Sequence, residues 1–201
     1  MSFQKIPLFI LLALHLSFGQ SQKLIHLDGT YDLDGDKWLE FIALGLNPVD
    51  EYFPSTVEYY ELDEDGYQVK KWEFSPPSEM DGYFVNAMIG DIQGDGFPDL
   101  ITVMNLSRLG DNASPHVFIA VYDWNGETFS ELPIATLDIG KQGQSLRCNN
   151  FALLDMDADG VQEIVLALGS PFRGFAFVGM DENTHLSVIK KIRPNDLLVG
   201  S

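Results

Sequence analysis

One cysteine, Cys148, stands in 201 residues, which excludes a disulfide-stapled fold. Histidine is nearly as scarce: His15, His26, His116 and His185 are scattered singly, and no pair has metal-ligand spacing. Basic residues number 12 against 30 acids, a formal net charge of −18. Nucleic acid, itself a polyanion, is thereby a poor partner. Apolar runs are short, and the longest, residues 6–16, falls below the about 20 residues a membrane-spanning helix needs. Also missing are a Gly-x-Ser-x-Gly elbow, a phosphate loop and a dinucleotide fingerprint. No pair of carboxylates is marked out for glycoside hydrolysis. Nothing here points to an enzyme.

What is present is a core. Apolar residues make up 45 % of the chain and aromatics 12 %, which acidic disordered segments do not reach. The N-terminus reads as an address. Residues 1–5 carry one positive charge, residues 6–16 are an almost unbroken apolar run, and Ser17-Phe18-Gly19 offers small residues where a signal peptidase cleaves. Residues 1–19 are expected to be a secretory signal peptide and the remainder, from Gln20, to be exported or displayed at the cell surface.

The rest repeats. Asp32-Leu33-Asp34-Gly35-Asp36-Lys37-Trp38-Leu39-Glu40 aligns with Asp91-Ile92-Gln93-Gly94-Asp95-Gly96-Phe97-Pro98-Asp99 and with Asp155-Met156-Asp157-Ala158-Asp159-Gly160-Val161-Gln162-Glu163. Each stretch has oxygen-bearing side chains at positions one, three, five and nine, and each leads into a β-rich segment. Between these loops lies a second repeated element, with Asp65-Gly66 and Asn125-Gly126 as turn dipeptides and Asn183 at the aligned place in a third copy. Such dipeptides between extended apolar runs predict type I′ hairpins. Each repeat thus reads as strand, acidic loop, strand, connection, strand, tight turn, strand, over about 24–82, 83–146 and 147–201. The fold class is all-β.

A four-stranded unit of this size cannot bury both faces alone and must stack on copies of itself. Radial stacking gives a β-propeller, which closes at about 4–8 blades. Three repeats are therefore expected to be completed by further blades, from a longer chain or an oligomer.

Oxygen ligands at alternate positions of a tight loop converge on one point, and calcium takes 6–8 oxygens in flexible geometry. Solvated turns are the plainer reading of one such loop. Three in register, each with a carboxylate at position nine, favour a metal. An EF-hand or dockerin loop needs an acid at position twelve, where Ala43, Thr102 and Leu166 stand; that class is excluded.

The pattern resembles the FG-GAP/VCBS repeat, the calcium-loop blade of integrin α-chain propellers, over roughly residues 24–201. Its clearest instance is Gly90-Asp91-Ile92-Gln93-Gly94-Asp95-Gly96-Phe97-Pro98-Asp99-Leu100. The resemblance implies one structural Ca²⁺ per loop. Its ligands would be Asp32, Asp34, Asp36 and Glu40; Asp91, Gln93, Asp95 and Asp99; and Asp155, Asp157, Asp159 and Glu163. The carbonyls of Trp38, Phe97 and Val161 would join them. Two departures carry expectations. Lys37 occupies the glycine position of its loop, predicting strain or a shift there, and Gln93 offers a neutral oxygen, predicting the weakest site.

Outside the loops, Cys148 has no activating neighbour and reads as a buried inert thiol. Asn105-Leu106-Ser107 and Asn112-Ala113-Ser114 match the glycosylation pattern. Most aromatics are expected between blades, while Trp124 and Tyr52, at turns, are candidates for stacking on a sugar or a protein. Together these readings predict a non-catalytic binding or adhesion scaffold for an extracellular protein or glycan. The rival is the propeller portion of a secreted polysaccharide lyase or hydrolase, and a third possibility is a structural spacer.

Overall fold

The computed structural model describes residues 24–47, 50–76, 81–107, 115–140 and 145–193. Twelve strands form three four-stranded antiparallel sheets. The first holds β1 (Leu24–Tyr31), β2 (Glu40–Asn47), β3 (Asp50–Leu62) and β4 (Gln68–Phe74). The second holds β5 (Asp81–Gly90), β6 (Asp99–Ser107), β7 (Pro115–Asp123) and β8 (Ala135–Ile139). The third holds β9 (Cys148–Leu154), β10 (Glu163–Leu168), β11 (Gly174–Met180) and β12 (Leu186–Ile192). Strands within each sheet lie in chain order, as hairpins joined edge to edge must. No helix occurs among the described residues, so none is long and apolar enough to cross a membrane. The proposed signal peptide lies outside the described residues.

The sheets stack as propeller blades do, and β6 shows why. Its side chains alternate between faces. Leu100 and Met104 enter the core shared with the first sheet, whereas Ile101 and Val103 enter the core shared with the third. Both faces of this strand are buried, so it reads as an apolar run interrupted only by Thr102 and Asn105 rather than as an alternation. The third sheet alternates instead: on β10 Ile164, Leu166 and Leu168 are buried while the residues between them are half-buried. Each large apolar side chain removed from water stabilises the stack by about 1.5–3 kcal/mol.

The core between the first two sheets is aromatic. Tyr59 meets Trp124 and Phe129 edge-on at 5.6 and 5.4 Å, and Trp72 meets Tyr122 at 5.1 Å. The Trp72 indole donates across the interface to the Ser130 carbonyl at 3.2 Å. Trp124 is therefore not an open tip: it is 6 % exposed, because its β-bridge to Phe129 turns the indole inward. Tyr52 falls within β3 rather than in a turn, and its side chain lies outside the described residues. Among the described residues, the aromatics exposed at turns are Tyr67, Phe97 and Trp38.

Asn105 ties the second sheet to the third. It accepts from the Cys148 amide and donates to the Cys148 carbonyl, both at 2.8 Å. At 3 % exposure it is no glycosylation acceptor, since the sequon falls inside β6. Asn112 lies outside the described residues. Cys148 is buried, its thiol donates to the Asn150 carbonyl, and burial pushes its pKa up to about 11.

The hairpin turns depart from type I′. Only Gly66, not Asp65, has positive φ in the first turn, and the Gly66 amide closes on the Asp63 carbonyl at 2.8 Å. In the third turn the left-handed residue is Thr184 rather than Asn183. Its amide closes on Asp181 at 2.9 Å. The structural equivalents are thus Asp63 with Asp181, whose carboxylates each accept two turn amides. In the third copy the Asp181 side chain thereby fixes the turn one residue later than the dipeptide alignment placed it.

Candidate metal centre

The three acidic loops join the first two strands of their sheets and share one hydrogen-bond frame. Position one accepts the amide of position six: Lys37 to Asp32 at 3.2 Å, Gly96 to Asp91 at 2.9 Å, Gly160 to Asp155 at 3.0 Å. Position five accepts the amide of position seven: Trp38 to Asp36 at 2.7 Å, Phe97 to Asp95 at 2.9 Å, Val161 to Asp159 at 2.8 Å. Position nine reaches back to the amide of position two: Leu33 to Glu40 at 2.8 Å, Ile92 to Asp99 at 3.0 Å, Met156 to Glu163 at 2.8 Å. Each carboxylate spends some of its oxygen lone pairs on holding the loop and keeps the rest.

Left-handed backbone recurs too. Position six has positive φ in every loop, at Lys37, Gly96 and Gly160, and so does position four, at Gly35, Gly94 and Ala158. Lys37 is therefore strained but not shifted: its φ is 78°, and its amide keeps the bond its glycine counterparts make. Position four escaped the sequence reading, although glycine at Gly35 and Gly94 was the signal for it.

In the first loop Asp32, Asp34 and Asp36 bring carboxylate oxygens within 4.8 Å of one another, and in the third Asp155, Asp157 and Asp159 do the same. All six are exposed. Among the described residues the second loop forms no such group. There the Gln93 side-chain amide donates to Asp99 at 2.8 Å and toward Asp123 at 3.4 Å, while Asp99 Oδ2 also accepts the Gln93 main-chain amide. Both Asp99 oxygens are thus engaged within the loop.

Position nine is the buried floor of the first two loops, whereas Glu163 in the third is half-buried. Glu40 and Asp99 are wholly inaccessible. Burial raises the Glu40 pKa above the ordinary carboxylate range, the Leu33 amide and the Tyr59 hydroxyl beside the carboxylate oppose the shift, and Asp34 and Asp32 add to it. Glu40 Oε1 is buried with no hydrogen-bond partner. Burial likewise pushes Asp99 to about 6, against three hydrogen bonds that favour its ionised form. An unpartnered buried carboxylate oxygen beside a cluster of carboxylates fits a hard cation with oxygen ligands.

Between the first and second loops runs a groove of about 670 Å³, lined among others by Asp34, Asp95, Phe97, Asp123 and Asn125. Phe97 is 60 % exposed there.

Compared with known proteins, residues 32–102 match the model of the FG-GAP-like repeat family. The match opens on the first aspartate of the first loop and closes just beyond Asp99, so it contains two of the three loops. No curated protein matches the chain.

Proposed function

We propose that this chain, whose residues 32–102 match the FG-GAP-like repeat family, is an exported, calcium-stabilised propeller scaffold that binds without catalysing. The observation that carries the calcium reading is the orphaned Glu40 Oε1 in the same loop whose Asp32, Asp34 and Asp36 carboxylate oxygens converge within 4.8 Å. Those four residues would hold the first ion, and Asp155, Asp157, Asp159 and Glu163 the third. Asp91, Gln93, Asp95 and Asp99 would hold the second, more weakly. In each loop the family pattern adds the position-seven carbonyl, from Trp38, Phe97 or Val161. A bound ion would neutralise carboxylates whose mutual repulsion otherwise opposes the fold. Its role is structural, since each loop joins two strands of one blade.

The scaffold reading draws support from the groove between the first two loops. An exposed phenyl ring beside carboxylates and an amide is the combination that stacks on and hydrogen-bonds a sugar, and it equally suits a protein side chain. We extend the proposal to further blades. Val165 and Phe177 of the third sheet occupy the places of Ile42 with Tyr59 and of Ile101 with Val121. Those pairs are buried under a neighbouring blade, whereas around Val165 and Phe177 lie Phe175 at 43 % and Ile189 at 63 % exposure.

The test is thermal unfolding of the chain in calcium and in chelator, with calorimetric stoichiometry. Binding of ions with a raised melting temperature is the expected result, and no bound calcium overturns the reading. A glycan array and turnover assays on polysaccharides then separate scaffold from enzyme: binding without turnover is expected.

A further inference from the structure

The second and third loops are in direct contact, and the contact falls on the main chain of Asp91. The Gln162 side-chain oxygen accepts the Asp91 amide at 3.2 Å, and the Gln162 amide donates to the Asp91 carbonyl at 3.2 Å. One residue of the third repeat thereby satisfies both main-chain groups of the residue that opens the second loop. Two glycines make room for it. A Cβ on Gly90 would lie 2.3 Å from Gln162 Oε1, and a Cβ on Gly94 would lie 2.6 Å from Val161 Cγ2. Val161 and Gln162, consecutive in the third loop, therefore press against the second on both sides of Asp91.

The first two loops cannot be joined this way. Position eight of the second loop is Pro98, which has neither an amide hydrogen nor a side-chain acceptor. The position matching Gly90 in the first repeat is Tyr31. Where the second and third loops touch, the first and second are separated by the groove described above.

The second loop is also the one that most needs outside support. Its Gln93 side-chain nitrogen donates to Asp99 and toward Asp123, which leaves only a neutral amide oxygen for an ion, and both Asp99 oxygens are engaged. Asp91 also has both oxygens engaged, Oδ1 by the Gly94 amide at 2.6 Å and Oδ2 by the Gly96 amide at 2.9 Å, so an ion there must use the remaining lone pairs of oxygens the loop already holds. A ligand held in place before binding loses less freedom on binding.

We propose that Gln162 is a positioning residue for the second calcium loop, so that the ion site of the second repeat is completed by the third. The proposal rests on the calcium reading above. It has a reciprocal form: an ion that fixes the third loop around Val161 and Gln162 strengthens binding at the second, and the second strengthens the third by the same factor. The first loop stands outside this pair.

The experiment is a calcium titration of the whole chain by calorimetry, paired with amide hydrogen exchange resolved at Asp91. In Gln162→Ala the weakest binding step should weaken by about tenfold, within the usual range for coupling between sites, with the first loop unaffected. Gly90→Ala, whose Cβ would press on both Gln162 Oε1 and Leu153 Cδ1 while sparing every loop carboxylate, should reproduce the loss, and Leu153→Ala, which alters no loop group, should not. Unchanged binding steps in Gln162→Ala and Gly90→Ala overturn the proposal. Should the parent chain bind no calcium, the calcium reading and the ion-positioning role fall together. Exchange then still tests the contact: the Asp91 amide should be protected in the parent and exposed in Gln162→Ala, and equal exchange would show that the clamp does not form.

Discussion

Asp99 Oδ2 lies 3.0 Å from the Ile92 amide nitrogen, and both residues are buried, at 0 and 1 % exposure. The carboxylate closes its loop from below, as Glu40 and Glu163 close theirs. Its burial sets the first prediction. With a folded pKa raised from 3.8 to about 6, Asp99 is better accommodated protonated than ionised. Its contribution to stability is therefore full below pH 3.8 and lost as pH rises through about 6. In chelator, urea unfolding from pH 4 to 7 should show the parent chain losing ground to Asp99→Asn as pH rises. Saturating calcium should abolish that trend.

Glu40→Gln should change sign with calcium. The amide keeps an acceptor for Leu33 while removing a buried charge that Asp32 and Asp34 repel. In chelator the variant should be more stable than the parent by about 1 kcal/mol, and in calcium less stable by a similar amount. Paired denaturant melts check both halves. A loss in both conditions would make Glu40 a structural residue only.

Lys37→Gly should stabilise the chain. A side chain at φ 78° carries a left-handed penalty of about 1–2 kcal/mol, part of which glycine returns as unfolded-state entropy. A gain of about 1 kcal/mol is expected, with Gly35→Ala costing a similar amount. Chemical denaturation reads both.

Asn105→Ala should cost about 2–3 kcal/mol, because it leaves the buried amide and carbonyl of Cys148 unsatisfied and opens the seam between the second and third sheets. The same variant should make Cys148 react faster with a thiol reagent, since burial is what holds its pKa near 11. Mass spectrometry of the parent chain, secreted from a glycosylating host, should find Asn105 unmodified.

The architecture was legible in the sequence because two signals repeated in phase. Acidic loops opened one strand pair of each sheet and turn dipeptides closed another, so strand order followed from chain order. The loops betrayed themselves through side chains at fixed spacing, and hydrogen bonds at Asp32, Asp91 and Asp155 repeat that spacing in space. What escaped was decided by neighbours distant in sequence. Trp124 sits in a turn, yet Tyr59 of another sheet draws it inward. Thr184 takes the left-handed place because the Asp181 carboxylate fixes the turn, a choice that dipeptide preferences do not weigh. Asn105 matches a sequon only while its partner 43 residues away is unseen. Gln162 carried no signal at all, since its meaning lies in Gly90 and Asp91 of the preceding repeat.

The three tryptophans divide the molecule into optical compartments. Trp72 and Trp124, shielded in the aromatic core, should emit at short wavelength and shift red when the first two sheets part. Trp38, 40 % exposed on the first loop, should emit at long wavelength and respond to whatever occupies that loop. The third sheet has no indole, so its separation would pass unseen in such a spectrum, and a fluorescence melt alone would overstate how cooperatively the chain unfolds.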